Sequence, residues 1–297
     1  MKKFFCLAVS FLLLAGCKPA AEKSAFSGEA AYNEAAALVQ ISPRDSGTGN
    51  ARRAAVHLET RLKELGVNAA IMTFPDDTPA GQVFFHNVVG RLPGKTNRLI
   101  ILGSHFDTKS GIAPDFQGAN DSGSSTGVLL ELARVLAARA PYETEFMFAF
   151  FDGEECMNDY KPNDGLHGSR NLARHIYTAG GAQHVEAVII LDMIGDKDLK
   201  VTVPRNSSRK LTKTLFAAAE ELGHRARFGL ARGDILDDHV PFLAAGMPAI
   251  DIIDFEYGSA PGLNDYWHTP ADTLDKLSVD SMQTVGDTVL RMIELLQ

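Results

Sequence analysis

Apolar positions recur along this chain in two alternating periods. Residues 31–39 and 51–65 carry them at helical spacing, with Asn50 as the expected cap of the second helix. Residues 83–90 read as a strand running towards the turn-forming pair Pro93-Gly94, and residues 98–103 as a strand rich enough in Leu and Ile to be buried on both faces. The small-residue loop Ser122-Gly123-Ser124-Ser125 then leads into a helix over 126–138. Further strands are expected at 143–151, 185–191, 200–203 and 248–253, and further helices at 169–179, 208–222 and 278–296. This alternation, free of internal repeats, predicts an α/β fold: a three-layer αβα sandwich around a central mixed, largely parallel sheet.

The N-terminal segment MKKFFCLAVSFLLLAGC breaks the pattern. Lys2 and Lys3 precede an apolar run that is too short for a permanent membrane span, so residues 1–16 read as a signal peptide. Leu14-Ala15-Gly16-Cys17 resembles the bacterial lipobox, which makes Cys17 the expected lipidation site; an ordinary cut near Ala20 or Ala21 is the alternative. Residues 17–28 are small and polar enough to serve as a tether, which leaves 29–297 as one folded domain. The expected product is an exported lipoprotein, periplasmic or at the cell surface, touching the membrane through Cys17 alone. Of three cysteines, Cys6 leaves with the signal and Cys17 carries lipid, so Cys156 has no disulfide partner. Net charge is -8 with no concentrated basic run, which argues against a nucleic-acid partner. Oligomeric state is left open.

Candidate chemistry gathers where apolar strands stop. Four of them end in Ser104-His105-Phe106-Asp107, Asp152-Gly153-Glu154-Glu155, Asp192-Met193-Ile194-Gly195-Asp196 and Asp251-Ile252-Ile253-Asp254. Ligands collect beyond the carboxyl ends of strands in open α/β sheets, so these groups are placed to converge. Asp121, Asp237-Asp238-His239 and Tyr266-Trp267-His268 lie in loops. In His105-x-Asp107 the histidine is suited to hold a metal through one ring nitrogen while Asp107 orients the ring, although a satisfied loop pair has the same spelling. Burying both Glu154 and Glu155 without compensation is costly, which points to a ligand beside a proton carrier. Together Asp121, Asp192, His105, Glu155 and His268 offer oxygen and nitrogen donors without thiolate, as catalytic zinc sites do. Taken singly, Asp121 suits a helix cap, Asp192 a turn, and His268 packing under Trp267.

In that order, Ser104-His105-Phe106-Asp107, Gly118-Ala119-Asn120-Asp121-Ser122-Gly123, Phe151-Asp152-Gly153-Glu154-Glu155, Leu191-Asp192-Met193 and Trp267-His268-Thr269 resemble peptidase family M28. The resemblance implies a phosphorylase/hydrolase-like sandwich. For its aminopeptidases it implies two zinc ions bridged by Asp121, one completed by His105 and Asp192 and the other by Glu155 and His268, with Glu154 activating water. A finer resemblance, to animal-type glutaminyl-peptide cyclotransferases, rests on Thr78-Pro79-Ala80-Gly81-Gln82-Val83, the insert CMNDYKPNDGLH after Glu155, and Leu236-Asp237-Asp238-His239-Val240-Pro241-Phe242. It implies a single zinc on Asp121, Glu155 and His268, with Glu154 carrying protons and Asp192 and Asp237 orienting them. His105 is then no ligand, and Trp267 and Tyr160 line the pocket. Tyr160 stands where animal cyclases place tryptophan, and Asp251 where they place a histidine in the acidic network. Both readings imply peptides with a free N-terminus as substrates.

Overall fold

The computed structural model describes Met1 and residues 25–297; the expected signal segment and Cys17 lie outside the described residues. Packing begins at Phe26, which is buried, and Ser27 caps the first helix by accepting the Ala30 N–H. Phe26 and Ser27, which fall within the expected tether, thus belong to the packed fold.

In chain order the elements are α1 (Gly28–Val39), α2 (Gly49–Glu64), β1 (Asn68–Thr78), β2 (Gly81–Leu92), β3 (Leu99–His105), α3 (Ser125–Arg139), β4 (Glu145–Phe151) and α4 (His167–Thr178). There follow β5 (Val185–Asp192), β6 (Val201–Val203), α5 (Arg209–Glu221), β7 (Phe228–Leu230), α6 (His239–Ala244), β8 (Ala249–Ile253) and α7 (Val279–Leu296). The main sheet has the order β1-β2-β4-β3-β5-β8. From β4 to β8 every pairing is parallel, while β1–β2 and β2–β4 are antiparallel. The mixed, largely parallel sandwich expected from the sequence is therefore present. The 200–203 segment does not join that sheet, because β6 pairs with β7 in a separate two-stranded ribbon.

Strand parity sorts the core into two layers. Ile100 and Leu102 of β3 and Phe146, Phe148 and Phe150 of β4 pack with α1, α2, α3, α5 and α7. Their alternates Leu99, Ile101, Met147, Ala149 and Phe151 pack with α4 and α6. The cap of α2 differs from expectation: the Thr48 hydroxyl accepts the Ala51 N–H, while Asn50 lies inside the helix and its amide donates to the Pro43 carbonyl. Among the described residues no helix is long and apolar enough to cross a membrane.

Because β4, β3, β5 and β8 are neighbours running the same way, the carboxyl ends of all four open on one edge of the sheet. That edge carries the polar residues picked out above.

Candidate active site

His105 closes β3 and is buried. Its Nε2 lies 3.1 Å from Asp121 Oδ1 and 3.1 Å from Asp192 Oδ1. On the far side of Asp121, His268 Nε2 stands 3.0 Å from Glu155 Oε1 and 3.4 Å from Asp121 Oδ2. Asp121 is thus flanked by two imidazoles, and two donor clusters share it: His105-Asp121-Asp192 and Asp121-Glu155-His268.

Loops hold these side chains, and buried carboxylates hold the loops. Asp107 accepts the N–H groups of Glu154 and Glu155, both at 3.2 Å. It faces His105 Nδ1 only at 3.5 Å, and that nitrogen has no hydrogen-bond partner among the described residues. Its work is to clamp the glutamate turn more than to orient the ring. Asp272 accepts the N–H of Asn120 at 2.7 Å and of Asp121 at 3.2 Å, and Tyr257 donates to it at 2.8 Å. Fully buried Arg44 donates to the carbonyls of Phe106, Gln117 and Gly118, tying the loop after β3 to the one that presents Asp121. Gly153 turns the chain into Glu154 with φ 78°, and a Cβ there would strike the Phe85 ring. His268 itself has φ 53°, a backbone region that non-glycine residues seldom adopt.

A cleft of about 270 Å³ opens on this edge, walled by Asp121, Glu154, Glu155, Tyr160, Asp192, Asp237, Trp267 and His268 among others. A larger cavity of about 680 Å³ lies between α4 and α6 and contains none of the paired donors; the chemistry sits in the smaller one. The Tyr160 hydroxyl donates to Glu154 at 2.9 Å from Oε1 and 3.2 Å from Oε2. Trp267 stacks on His268 with ring centroids 3.9 Å apart.

Burial sets the proton affinities here. It raises the Glu154 carboxyl well above the usual carboxylate range, with the charges of Glu155, Asp237 and Asp238 adding to the rise against His105. Glu155 is pushed up to about 7 by burial and by Asp121, against the pull of His268. Burial likewise raises Asp192 and, more strongly, Asp237. For Asp121 burial is overcome by the two imidazoles that flank it, His105 and His268, which hold it below the usual range. His268, although burial opposes its charge, is carried up to about 9 by Asp121 and Glu155.

The donor set fits zinc. Asp121 Oδ2 and Glu155 Oε2 are buried without hydrogen-bond partners among the described residues, beside the His268 imidazole, and carboxylate with imidazole is a common catalytic zinc combination. The two expected ligand sets therefore both assemble around Asp121.

Other expected residues lie elsewhere. Asp251, expected in the pocket wall, is fully buried within β8 and does not line the cleft, because parity turns it towards the α4/α6 layer together with Ala249. Asp254 accepts the Lys200 N–H, and the Asp196 backbone pairs with Leu277, so neither of these strand-end acids joins the donors. Cys156 is a free, buried thiol 3.1 Å from Lys109 Nζ. Arg44 and Asp272 escaped the sequence reading, since they act on backbone groups that no residue spacing reveals.

Comparison with known proteins bears on the same edge. The description Peptidase family M28 matches residues 87–293. The crystal structure of Acidobacteriales bacterium glutaminyl cyclase superimposes with a TM-score of 0.87 at 36% identity, covering 95% of this chain and 99% of that one. Porphyromonas gingivalis glutaminyl cyclase gives 0.82 at 29% identity, covering 92% and 99%. The glutaminyl-peptide cyclotransferase of Drosophila melanogaster is 27% identical over 271 residues, 82% of this chain and 75% of the relative. With the motif residues assembled on the edge where the fold places them, and the family match spanning most of the chain, this protein belongs to peptidase family M28.

Proposed function

We propose that this protein is a zinc-dependent glutaminyl-peptide cyclotransferase, converting an N-terminal glutamine to pyroglutamate and releasing ammonia. The observation that carries the reading is the buried Glu154 carboxyl beside the Asp121-Glu155-His268 cluster, with Tyr160 of the insert after Glu155 donating to it. The likeness to the two bacterial glutaminyl cyclases supports it.

Asp121, Glu155 and His268 would hold the zinc, which would supply Lewis acidity towards the substrate's γ-amide. Glu154 takes a proton from the substrate α-amine as the new C–N bond forms, and returns it to the nitrogen that leaves as ammonia when the γ C–N bond breaks. Its raised proton affinity suits a group that both accepts and donates near neutral pH. Asp192 and Asp237 border the cleft beside it and orient the proton being moved. Trp267 and Tyr160 wall the cleft, and its small volume admits a terminal residue and holds the amine against the amide.

A second reading, an M28-type aminopeptidase with two ions, is favoured by one observation: His105 Nε2 stands 3.1 Å from both Asp121 and Asp192, the set a second ion would use. Incubating the zinc-loaded protein with a peptide bearing N-terminal glutamine separates the two. Loss of ammonia with the peptide bond intact, abolished by Glu154→Gln, is the cyclase result; release of free glutamine establishes the peptidase.

Export and anchoring through Cys17 are proposed on the sequence Leu14-Ala15-Gly16-Cys17. Labelled palmitate that enters the wild type and not Cys17→Ala is the expected outcome, and equal labelling of both would overturn it.

A further inference from the structure

The groove between α4 and α6, with about 680 Å³ of room, takes no part in holding the donors around Asp121. It is nevertheless continuous with the catalytic cleft, because Leu236 lines both. The insert after Glu155 also borders both, through Tyr160 in the cleft and Pro162 in the groove. A chain that leaves the cleft across Leu236 therefore has the groove as its next surface. Ala173 and Tyr177 of α4 line it together with Val240 and Ala244 of α6. Leu236 is 49% exposed and Tyr177 62%, so apolar surface lies open beside charged groups, as at a site of interaction.

Two guanidinium groups of α4 border the same groove, Arg170 and Arg174. Arg170 is braced against the insert, donating to the carbonyls of Lys161 and Gly165. Arg174 lies four positions further along α4, and among the described residues its guanidinium takes part in no ion pair and donates no hydrogen bond. The acid of the groove, Asp76, is already engaged, with Oδ2 2.8 Å from His167 Nδ1. In a chain of net charge -8 the groove thus carries a local excess of positive charge, which an anionic side chain complements. One helical turn advances about 5.4 Å, close to the roughly 6.6 Å between same-face side chains of an extended peptide. Acidic residues at alternate positions of such a peptide can therefore meet both arginines.

We propose that this groove holds the stretch of substrate peptide that follows the N-terminal residue, and that Arg174, beside Arg170, selects acidic side chains in that stretch. The proposal rests on the reading that the cleft takes the free N-terminus of a peptide, which the cyclase and peptidase readings share. The apolar parts of the peptide lie on Leu236 and Tyr177, and its carboxylates face the α4 arginines. The cleft thus sets which terminal residue reacts, and the groove sets which peptides present it.

The test uses the zinc-loaded protein and glutaminyl hexapeptide amides in which a single glutamate is moved from the second position to the sixth, beside the same series carrying lysine. At one or more of the later positions kcat/KM is expected to favour glutamate about two- to fivefold, the range of an exposed ion pair, and the preference should shrink as salt is raised. Arg174→Glu, a change at an exposed helix position, should turn that preference towards lysine while leaving the rate on glutaminamide, which is too short to reach the groove, unchanged. Equal kcat/KM for glutamate and lysine at every position overturns the proposal, as does a preference that Arg174→Glu leaves as it was. Concentration-dependent dimerisation that Arg174→Glu abolishes would assign the groove to a second copy and also overturn it. Should the peptides not be turned over, the cyclase reading fails by itself. Fluorescence anisotropy of the same peptides, labelled at their C-terminal ends, then decides the groove by the same comparison of glutamate with lysine on both proteins.

Discussion

Replacing Tyr160 by phenylalanine removes one hydroxyl and keeps the ring. That hydroxyl donates to both oxygens of Glu154, at 2.9 and 3.2 Å. A hydrogen bond to an ionised group contributes about 1.5–3 kcal/mol. At about 1.4 kcal/mol per pKa unit, its loss raises the Glu154 carboxyl by a further 1–2 units or so. The direction follows because the phenol stabilises the ionised form, and burial already disfavours that form. Glu154 must be ionised to accept the amine proton, so the acid limb of kcat/KM moves to higher pH. On that limb Tyr160→Phe should be about 10- to 100-fold slower than wild type, and at the alkaline plateau the two should converge.

The assay is the initial rate of ammonia release from a glutaminyl peptide, measured across the acid limb and the plateau for both proteins. Superimposable profiles would refute the claim that the phenol tunes Glu154. An equal loss at every pH would also refute it, by assigning Tyr160 to substrate packing instead.

Asp272→Asn leaves one acceptor oxygen for the two N–H groups that now bind the carboxylate, so zinc affinity measured against a competing chelator should fall about 10- to 100-fold. In the metal-free chain Glu155 is raised from 4.5 to about 7, which costs stability as pH climbs through that interval. His268 is raised from 6.5 to about 9, so its contribution is complete below 6.5 and gone above about 9. The melting temperature of the chelated protein should therefore decline from mildly acidic to alkaline pH; a rise over that range contradicts both assignments. Zinc loading near neutral pH should release about one to two protons, read by calorimetry in buffers of different ionisation enthalpy. Gly127→Ala would drive a Cβ into the Ala31 carbonyl oxygen where α1 crosses α3, and should cost about 1–3 kcal/mol in urea unfolding with activity per folded molecule retained.

The metal edge was legible because β3, β4 and β5 are apolar runs that stop abruptly at His105, Phe151 and Asp192, and parallel neighbours bring such ends together. What sequence periodicity does not carry is strand order. β1 went unread because Pro75, Asp76 and Asp77 interrupt its apolar alternation, which an edge strand pairing only with β2 tolerates. Asp251 shows the same limit at single-residue scale. Its closeness to a strand end was visible, but β8 is buried along its whole length, and parity turns Asp251 into the α4/α6 layer. Asp107 was read as a partner for His105 and faces its Nδ1 at 3.5 Å, but its oxygens also accept the backbone N–H groups of Glu154 and Glu155, which no residue spacing reveals.

That contest for carboxylate oxygens bears on how many ions the edge holds. Asp121 sits between two imidazoles, and the His105 side differs from the His268 side in its counter-charges. Burial opposes a charge on His105, but Asp192, Asp107 and Asp121 hold its proton affinity well above the ordinary histidine value. A protonated His105 already bridges Asp121 and Asp192 at 3.1 Å to each. It supplies there the positive charge that a second ion would bring. An ion entering either side must expel an imidazole proton, since His268 is also carried up to about 9. But beside His268, Asp121 Oδ2 and Glu155 Oε2 are unclaimed by any hydrogen bond, whereas His105 stands 3.1 Å from a carboxylate oxygen of both Asp121 and Asp192. The same residues can thus serve one ion or two, and the unclaimed oxygens beside His268 direct the first ion to that side.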